Sequence, residues 1–172
     1  INEKLIHKSR KYDMNISLDN SDIKILNLIQ KDATLTNQDI AEQTGVSATS
    51  VWRRIKNLED VGVIKGTVAL LDHKKTKLNV CVIIHVRLSR HGEETRIDFE
   101  DFIASRPEVV ECYAILGNHD YSLTVMVPDV EMFEKFLAGH LLNHPLISES
   151  TSFFTLRQVK YSTALPLNLH QT

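Results

Sequence analysis

The stretch TNQDIAEQTGVSATSVWRRIKNL, residues 36–58, predicts two short helices that meet at Gly45. Gly45 follows the expected end of the first helix at Thr44, and glycine adopts the left-handed backbone of such a corner without the steric cost of a Cβ atom. Ser47 is then the expected N-cap of a second helix that begins at Ala48. Two capped helices joined by a glycine corner form a helix-turn-helix, so this stretch predicts that motif.

The second helix has an apolar face and a basic, polar face. Val51, Ile55 and Leu58 recur at i, i+4 and i+7, which places them on one side of the helix. The other side suits the major groove of DNA, where basic side chains neutralise phosphates and amides pair with base edges. We expect DNA contacts from Ser47, Thr49, Ser50, Arg53, Arg54, Lys56 and Asn57, and chiefly from Arg53, Arg54 and Lys56.

Trp52 lies beside Val51 at the edge of the apolar stripe. A large apolar side chain in that place packs more often against its own domain than against a ligand. We therefore expect Trp52 to pack against the first helix of the domain or against the wing. A contact with DNA is the alternative.

The same pattern of helix starts recurs upstream. Asp19 with Asp22, and Thr36 with Asp39, stand at the N-cap and N3 spacing of a capping box. Beyond the second helix of the motif, residues 63–71 form an apolar run that we expect to be a wing. The sequence thus predicts a winged helix-turn-helix DNA-binding domain over residues 18–71, with a flexible N-terminal arm or expression remnant at residues 1–17 and a linker at residues 72–79.

After the linker the pattern changes to alternating strands and helices. Four segments rich in β-branched and apolar residues are predicted strands: residues 80–88, 109–116, 121–127 and 147–156. One helical pattern lies between the first two strands and another between the last two, and each stops before a proline. The order βαββαβ predicts a ferredoxin-like domain over residues 80–166, followed by a tail at residues 167–172. The fold class is α+β, and both helices of this domain are expected on one face of an antiparallel sheet.

The first predicted strand has apolar side chains on both faces. Alternation puts Cys81, Ile83 and His85 on the side opposite to the valines at positions 80, 82 and 86. Since two helices cover only one face, and buried apolar surface contributes about 25 cal/mol per Å², we expect a homodimer formed sheet to sheet. Cys81 and Cys112 are expected to be buried and unpaired, because the first and second strands of this topology are not neighbours.

Charge is distributed unevenly along a chain that is 42% hydrophobic and has a net charge of −2. Residues 78–172 carry seven basic and twelve acidic side chains, whereas residues 18–77 carry nine basic and eight acidic ones. The C-terminal half is therefore a poor partner for phosphate. No apolar run reaches the roughly 20 residues that span a bilayer, and the N-terminus has no signal-peptide core, so we expect a cytoplasmic protein without membrane contact.

The two predicted domains together resemble the Lrp/AsnC (leucine-responsive/asparagine-responsive, feast-famine) family of prokaryotic transcriptional regulators. The resemblance rests on LDNSDIKILNLIQKDATLTNQDIAEQTGVSATSVWRRIKNLEDVGVIKGTVALLD, on EVVECYAILGNHDYSLTVMVPDVEMFEKF and on an F-x-L-x-x-V-K ending. It implies a sequence-specific regulator of amino-acid metabolism genes whose partner is double-stranded DNA. It also implies homodimers that assemble into tetramers or octamers, an amino-acid effector bound between dimers, and no cofactor.

The effector site implied by this resemblance lies between the second and third strands of the C-terminal domain. Gly117 and Asp120 match the family's G-x-x-D pattern, and a carboxylate beside free backbone N–H groups suits the ammonium and carboxylate of an amino acid. A tight hairpin turn is the alternative interpretation of the same residues. The implied effector contacts are Gly117, Asn118, His119, Asp120, Tyr121 and Thr151.

Other chemistries have weaker support. His140 and His144 are spaced like a helical metal pair, but no cysteine or carboxylate accompanies them at ligand spacing, so we expect surface histidines. The sequence contains no P-loop and no nucleophile motif, and it predicts neither a catalytic nor a metal site. The rival function is a tetrapyrrole decarboxylase of the sirohaem type, because some such enzymes resemble the same two-domain family.

Overall fold

The computed structural model describes residues 16–167, which form two compact units. The first unit contains residues 16–70 and residues 159–167, and the second contains residues 71–158. Most of the predicted N-terminal arm and of the tail at 167–172 lies outside the described residues. Every helix within residues 16–167 falls short of the length and apolarity that a bilayer crossing requires.

Three helices build the first unit: α1 (Asn20–Ile29), α2 (Asn37–Thr44) and α3 (Ala48–Asp60). Asp19 caps α1, accepting from the backbone N–H of Asp22 at 2.8 Å, and the Asp22 carboxylate accepts from the Asp19 N–H at 3.1 Å. Thr36 and Asp39 make the same reciprocal pair at the start of α2. Both predicted capping boxes are confirmed, because they depend only on side chains three residues apart.

The corner between α2 and α3 also follows the prediction. Gly45 has φ 72°, in the left-handed region, and its N–H donates to the carbonyl of Ala41 at 2.9 Å. Ser47 caps α3 by accepting from the backbone N–H of Ser50 at 3.3 Å. Each helix then contributes one fully buried aliphatic side chain to a shared core: Ile25, Ile40 and Val51.

The predicted wing at residues 63–71 has no strand partner in the described chain. Residues 61–71 take part in no β-ladder with any other described residue. Val68, Leu70 and Leu71 are exposed in this single chain. An isolated apolar segment gains strand structure only when a neighbour supplies the other half of the ladder, and the described chain supplies none here.

The second unit has the predicted βαββαβ order. Its strands are β1 (Val80–Leu88), β2 (Val109–Ala114), β3 (Tyr121–Val127) and β4 (Ile147–Phe154), and all pairings are antiparallel in the order β2-β3-β1-β4. The bounds of β1 and β3 match the prediction, whereas β2 and β4 each end two residues earlier. These two are the edge strands, which pair on one side only and end where that pairing ends.

Both helices of the second unit pack on one face of the sheet. They are α4 (Glu93–Ala104) and α5 (Val130–Phe136), and α5 continues into a π-helical turn at Leu137–Leu141. The core between sheet and helices contains alternate residues of the central strands β1 and β3, together with Phe99, Ile103, Phe133, Phe136 and Leu141. The other side of the sheet, here called the open face, carries Cys81, Ile83, His85, Arg87, Glu111, Tyr113, Ser122, Thr124, Met126, Glu149, Thr151 and Phe153.

The two cysteines are unpaired, as predicted from the strand order. Cys81 on β1 is half-buried. Cys112 is exposed, so the prediction that both are buried is wrong for this residue. The reason is that Cys112 lies on the edge strand β2, which has a neighbour on one side only.

The chain beyond β4 belongs to the first unit from residue 159 onward. The side-chain amide of Gln30 donates to the carbonyl of Leu165 at 3.0 Å and accepts from the Leu165 N–H at 2.8 Å. One amide thus satisfies both backbone groups of a residue that has no strand partner. The sequence did not predict this contact, because it joins residues 135 positions apart and leaves no periodic pattern in the sequence.

Acid should destabilise the first unit through three aspartates whose pKa lies below the ordinary 3.8: Asp19, Asp32 and Asp39. The chief causes are hydrogen bonds donated by the Asp22 N–H, the Thr34 hydroxyl and the Thr36 hydroxyl respectively. A depressed folded-state pKa contributes stability above the unfolded value, and that stability is lost as the pH falls through the folded value. Urea unfolding monitored by circular dichroism should show the free energy of unfolding falling between about pH 5 and about pH 2.

The control for this prediction is Asp39→Asn, which keeps an acceptor for Thr36 but cannot titrate. Its stability should depend less steeply on pH than that of the unaltered protein. An unchanged slope would remove Asp39 from the titrating set.

Candidate nucleic-acid interface and effector loop

The recognition helix α3 presents a polar surface on the side away from its core contacts. Thr49, Arg53, Lys56 and Asn57 are exposed there, and the cap residue Ser47 is exposed at the helix N-terminus. Ser50 is half-buried. Five of the seven predicted DNA contacts are therefore accessible along one helix, and their role as contacts remains a prediction.

Arg54 has intramolecular partners instead. Its Nη1 atom lies 2.8 Å from Asp19 Oδ2 and 2.7 Å from Asp22 Oδ1, and its side chain is only 26% exposed. These hydrogen bonds, with Asp22 first and Asp19 second, raise the pKa of Arg54. The capping pair of α1 thus also binds α3. Two carboxylates thus hold the Arg54 guanidinium in the described chain, and we propose that Arg54 positions α3 instead of contacting DNA.

The geometry of the helix explains these contacts. Arg54 comes three residues after Val51 and four before Leu58, so it lies next to the buried stripe of α3. Only a polar partner on a neighbouring element makes that place tolerable for a charge. Asp19 and Asp22 provide it from positions 35 and 32 residues away in the chain.

Trp52 is 59% exposed, so the prediction that it packs against the first helix or the wing is wrong. It comes three residues after Thr49 and four before Lys56, and these spacings place it beside the polar surface. The misleading feature was the residue type, because tryptophan is usually a packing residue. The spacing from Thr49 and Lys56 was the signal that indicated the outward orientation.

The two remaining basic residues of α3 differ in their surroundings. The Nζ atom of Lys56 lies 3.4 Å from Asp60 Oδ1 and 3.9 Å from Glu59 Oε2, and the three side chains are between 49% and 63% exposed. Exposed pairs of this kind are weak, so Lys56 can exchange them for a phosphate. For Arg53, no carboxylate of the described chain lies within ion-pair distance. Arg53 is the most readily available cation of the helix.

The predicted effector loop closes the β2–β3 hairpin. Gly117 has φ 153°, a conformation that favours glycine, and a Cβ atom there would meet no neighbour within 4 Å. The N–H of Ile115 donates to the Asp120 carbonyl at 2.9 Å, and the Asp120 N–H donates to the Val86 carbonyl at 2.8 Å. The turn interpretation is therefore correct for the backbone, and it leaves the side chains free to act as a binding site as well.

Two side chains attach this loop to β1. Asp120 Oδ2 accepts from the backbone N–H of Leu88 at 2.7 Å, while Oδ1 lies 3.9 Å from His91 Nδ1. The Arg87 guanidinium donates from Nε and Nη2 to the Asn118 carbonyl, and its Nη1 lies 3.1 Å from Glu149. One oxygen of Asp120 is thus used to fix the loop, and the other is available to a ligand.

His119 extends from the loop toward the open face. Its ring centroid lies 5.4 Å from that of His85, and its Nε2 is buried without a hydrogen-bond partner, 3.9 Å from Glu149 Oε1. Thr151 is the register partner of His85 on β4, so it belongs to the same region. His85, Arg87 and Glu149 were missed, although the alternation of β1 places the first two on this face.

Tyr121 is the exception among the predicted effector residues. It is only 3% exposed, packs against Phe99 with ring centroids 4.6 Å apart, and donates from its hydroxyl to Glu100 at 2.9 Å. Burial and that hydrogen bond raise its pKa. We correct the prediction for Tyr121: its side chain is part of the core and is unavailable to a ligand, because Tyr121 begins β3 on the helix-covered face.

His140 and His144 have separate surroundings. His140 Nδ1 lies 3.3 Å from the Arg106 guanidinium, and the His144 ring lies 4.1 Å from that of Phe102. Burial lowers the pKa of His144. Over residues 16–167, no group of three histidine, cysteine or acidic side chains has the arrangement of a metal site.

Comparison with known proteins agrees with both units. The profile of the Lrp/AsnC ligand-binding domain matches residues 81–165, and that of a winged helix-turn-helix DNA-binding domain matches residues 18–65. The chain is 38% identical over 150 residues to the glutamate uptake regulatory protein of Zymomonas mobilis, covering 87% of this chain and 91% of that protein. It is 35% identical over 150 residues to the DNA-binding transcriptional activator DecR of Escherichia coli, covering 87% and 99% respectively.

Solved structures show the same similarity. The transcriptional regulator NMB0573 of Neisseria meningitidis, crystallised as a complex with L-Met, has 36% identity and a TM-score of 0.83, covering 88% of this chain and 98% of that one. An AsnC family transcriptional regulator from Agrobacterium tumefaciens has 39% identity and the same TM-score and coverage. The α+β fold of a winged helix-turn-helix followed by a four-stranded antiparallel sheet domain is thereby confirmed.

If Arg54 binds α1 rather than DNA, its replacement should affect stability first. Arg54→Met is expected to lower the midpoint of thermal unfolding by roughly 4–8 °C, the shift that a loss of about 1 kcal/mol of stability causes in a domain of this size. Asp22→Asn should have a similar effect, and the double variant should be less destabilised than the sum of the two, since they remove the same interaction.

The salt dependence of DNA binding separates this role from a phosphate contact. Arg54→Met should leave the slope of log K against log salt unchanged. A reduction of the slope by about 0.9, the value for one phosphate, would return Arg54 to the DNA interface.

Proposed function

We propose that this chain, which belongs to the Lrp/AsnC family of DNA-binding transcriptional regulators, controls genes of amino-acid metabolism through specific DNA sites and responds to an amino acid. It is a regulator and not an enzyme, because its relatives are named as regulators and the family is non-enzymatic. The decarboxylase alternative is therefore set aside. The observation that carries the proposal is the capped, exposed helix α3 in the helix-turn-helix.

DNA recognition is assigned to the outer surface of α3. Arg53 and Lys56 are suited to phosphates or guanine edges, and Asn57 is suited to adenine. Thr49 lies in the first turn of the helix, the part of a recognition helix that contacts base edges. Ser47 and Ser50 help to position the helix, since the hydrogen bond from the Ser50 N–H to the Ser47 hydroxyl fixes where it begins.

A homodimer is the proposed functional unit, and it would assemble further into tetramers or octamers. The open face supports this proposal, because Ile83 and Met126 are only half-buried there and Phe153 and Tyr113 are exposed. A second copy covering this face would remove apolar surface from water. A dimer would also present two copies of α3 to DNA, which favours a pseudo-palindromic site with half-sites about 34 Å apart.

The proposed effector is an amino acid held at residues 117–120 and the adjoining open face. The Oδ1 atom of Asp120, whose nearest cationic neighbour is the exposed His91 at 3.9 Å, is suited to an ammonium group, and the backbone N–H groups beside Gly117 are suited to a carboxylate. The unpartnered Nε2 of His119, with Thr151 nearby, offers further polar contacts. The complex of the Neisseria relative with L-Met supports the class of ligand, since that protein shares 36% of its residues with this chain.

Arg53→Ala is expected to weaken DNA binding roughly 5- to 150-fold, equivalent to about 1–3 kcal/mol, if Arg53 contacts a guanine edge. A phosphate contact would instead give a uniform loss across sequences and lower the salt slope by about 0.9. Fluorescence anisotropy with labelled duplexes, titrated over a range of salt, measures both quantities.

The matched control is Lys135→Ala, which removes an exposed cation of α5 that pairs with Glu131 at 2.7 Å. It should bind DNA like the unaltered protein. Equal affinity of Arg53→Ala and the control would contradict the assignment of α3 as the DNA-binding surface.

The effector is best identified by thermal shift with each of the twenty amino acids. A ligand at about 100 times its Kd adds roughly 2.7 kcal/mol, which corresponds to a rise in midpoint of about 5–10 °C for a chain of this length. Asp120→Asn should abolish the shift, because the amide can still accept from Leu88 but carries no charge for the ammonium.

The ligand-free midpoint of Asp120→Asn serves as the control and should stay close to that of the unaltered protein. A full shift in this variant would exclude Asp120 as the ammonium site. The absence of a shift with all twenty amino acids would count against an amino-acid effector.

A further inference from the structure

Trp52 is a large apolar side chain on the recognition helix that lies outside the buried core of the described chain. It is 59% exposed, while the apolar side of the same helix is complete without it, with Val51 and Leu58 fully or almost fully buried. It is also the only tryptophan of the protein. Single exposed apolar residues are common, so exposure alone assigns no role to it.

The position of Trp52 supplies the second argument. The spacing of the helix puts Thr49 one turn before it and Lys56 one turn after it, and Arg53 is its neighbour in sequence. A partner that covers the indole therefore also faces the basic side chains of α3. Among macromolecules, this positive charge favours DNA. The phosphates of DNA carry a higher density of negative charge than the acidic second unit of another copy of this chain.

We propose that Trp52 is a specificity-determining DNA contact, whose indole packs against the C5-methyl group of a thymine at the edge of the major groove. The inference rests on the proposed function of α3 in DNA recognition. The thymine methyl is the apolar group that base edges present in the major groove, and apolar side chains recognise it by contact. Arg53 and Lys56 supply charge, and Trp52 supplies a preference among sequences.

The chemistry separates Trp52 from the basic residues. An indole neutralises no phosphate. A variant without the indole should therefore release as many counterions on binding DNA as the unaltered protein does, and its salt slope should be unchanged. What it loses is contact with one methyl group at one base pair. Burial of one such group corresponds to about fourfold in affinity, the factor given by roughly 0.8 kcal/mol.

The experiment uses a duplex selected by the full-length protein from a random-sequence pool. Each thymine of that duplex is replaced in turn by deoxyuracil, which removes the C5-methyl group and keeps the base pair. At one position in each half-site, the substitution should weaken binding of the unaltered protein about fourfold. The same substitution should have no effect on Trp52→Ala, whose affinity for the thymine duplex should already be reduced.

Fluorescence provides a readout that needs no variant. Because Trp52 is the only tryptophan, its emission should change on titration with the selected duplex, and the change should be smaller for the duplex that lacks the critical methyl group. Circular dichroism of Trp52→Ala should match that of the unaltered protein, since the side chain is not in the core. Trp52→Phe keeps an apolar ring and should retain part of the methyl dependence.

The outcomes distinguish the inference from the proposed function. If the protein selects no duplex, or if Arg53→Ala binds as well as the unaltered protein, the proposed function itself fails. The protein could bind a selected duplex while each deoxyuracil substitution changes the affinity of the unaltered protein and of Trp52→Ala equally. That result would overturn only the assignment of Trp52. Tryptophan emission that responds to protein concentration and not to DNA would overturn it too, in favour of an interface between copies.

Discussion

The guanidinium group of Arg54 ties the recognition helix α3 to the start of α1. The aliphatic contacts of Ile25, Ile40 and Val51 hold α3 in the first unit and bury its apolar side. The hydrogen bonds from Arg54 to Asp19 and Asp22 are directional and charge-assisted. They reinforce the orientation that the buried side of α3 already sets, and every DNA contact proposed for this helix depends on that orientation.

Local chemistry predicted most of the fold, and contacts between distant segments account for what it missed. The capping pairs, Gly45 and the bounds of β1 and β3 follow from side chains a few residues apart, so the sequence alone contained the information. Arg54 is different, because its partners lie on another helix and its residue type indicated a DNA contact. The contact of Gln30 with residue 165 is missed for the same reason, since nothing local marks either partner.

The effector loop shows that two interpretations of a motif are compatible. Gly117 and Asp120 belong to a hairpin turn. Only one carboxylate oxygen of Asp120 stabilises the turn, by accepting from the backbone N–H of Leu88. A preorganised carboxylate is a better site for an ammonium group than a mobile one, because less conformational freedom is lost on binding. The sequence predicted a hairpin turn in this loop, but it did not reveal that Arg87 holds the Asn118 carbonyl or that Tyr121 turns into the core.

The recognition helix of one protomer offers few unpaired positive charges to DNA. Of the three basic residues on α3, Arg54 is neutralised by two aspartates and Lys56 lies near Glu59 and Asp60, which leaves Arg53 as the cation without a nearby carboxylate in the described chain. Affinity for DNA at physiological salt grows with the number of phosphates neutralised, and one protomer offers few. Two or more copies of α3 bound at once raise the affinity without any new contact, because the second binding event becomes intramolecular. The proposed dimer and the low charge of α3 therefore fit together: in the proposed assembly, a second copy of α3 would add avidity, and uncharged contacts such as the one proposed for Trp52 would add sequence preference.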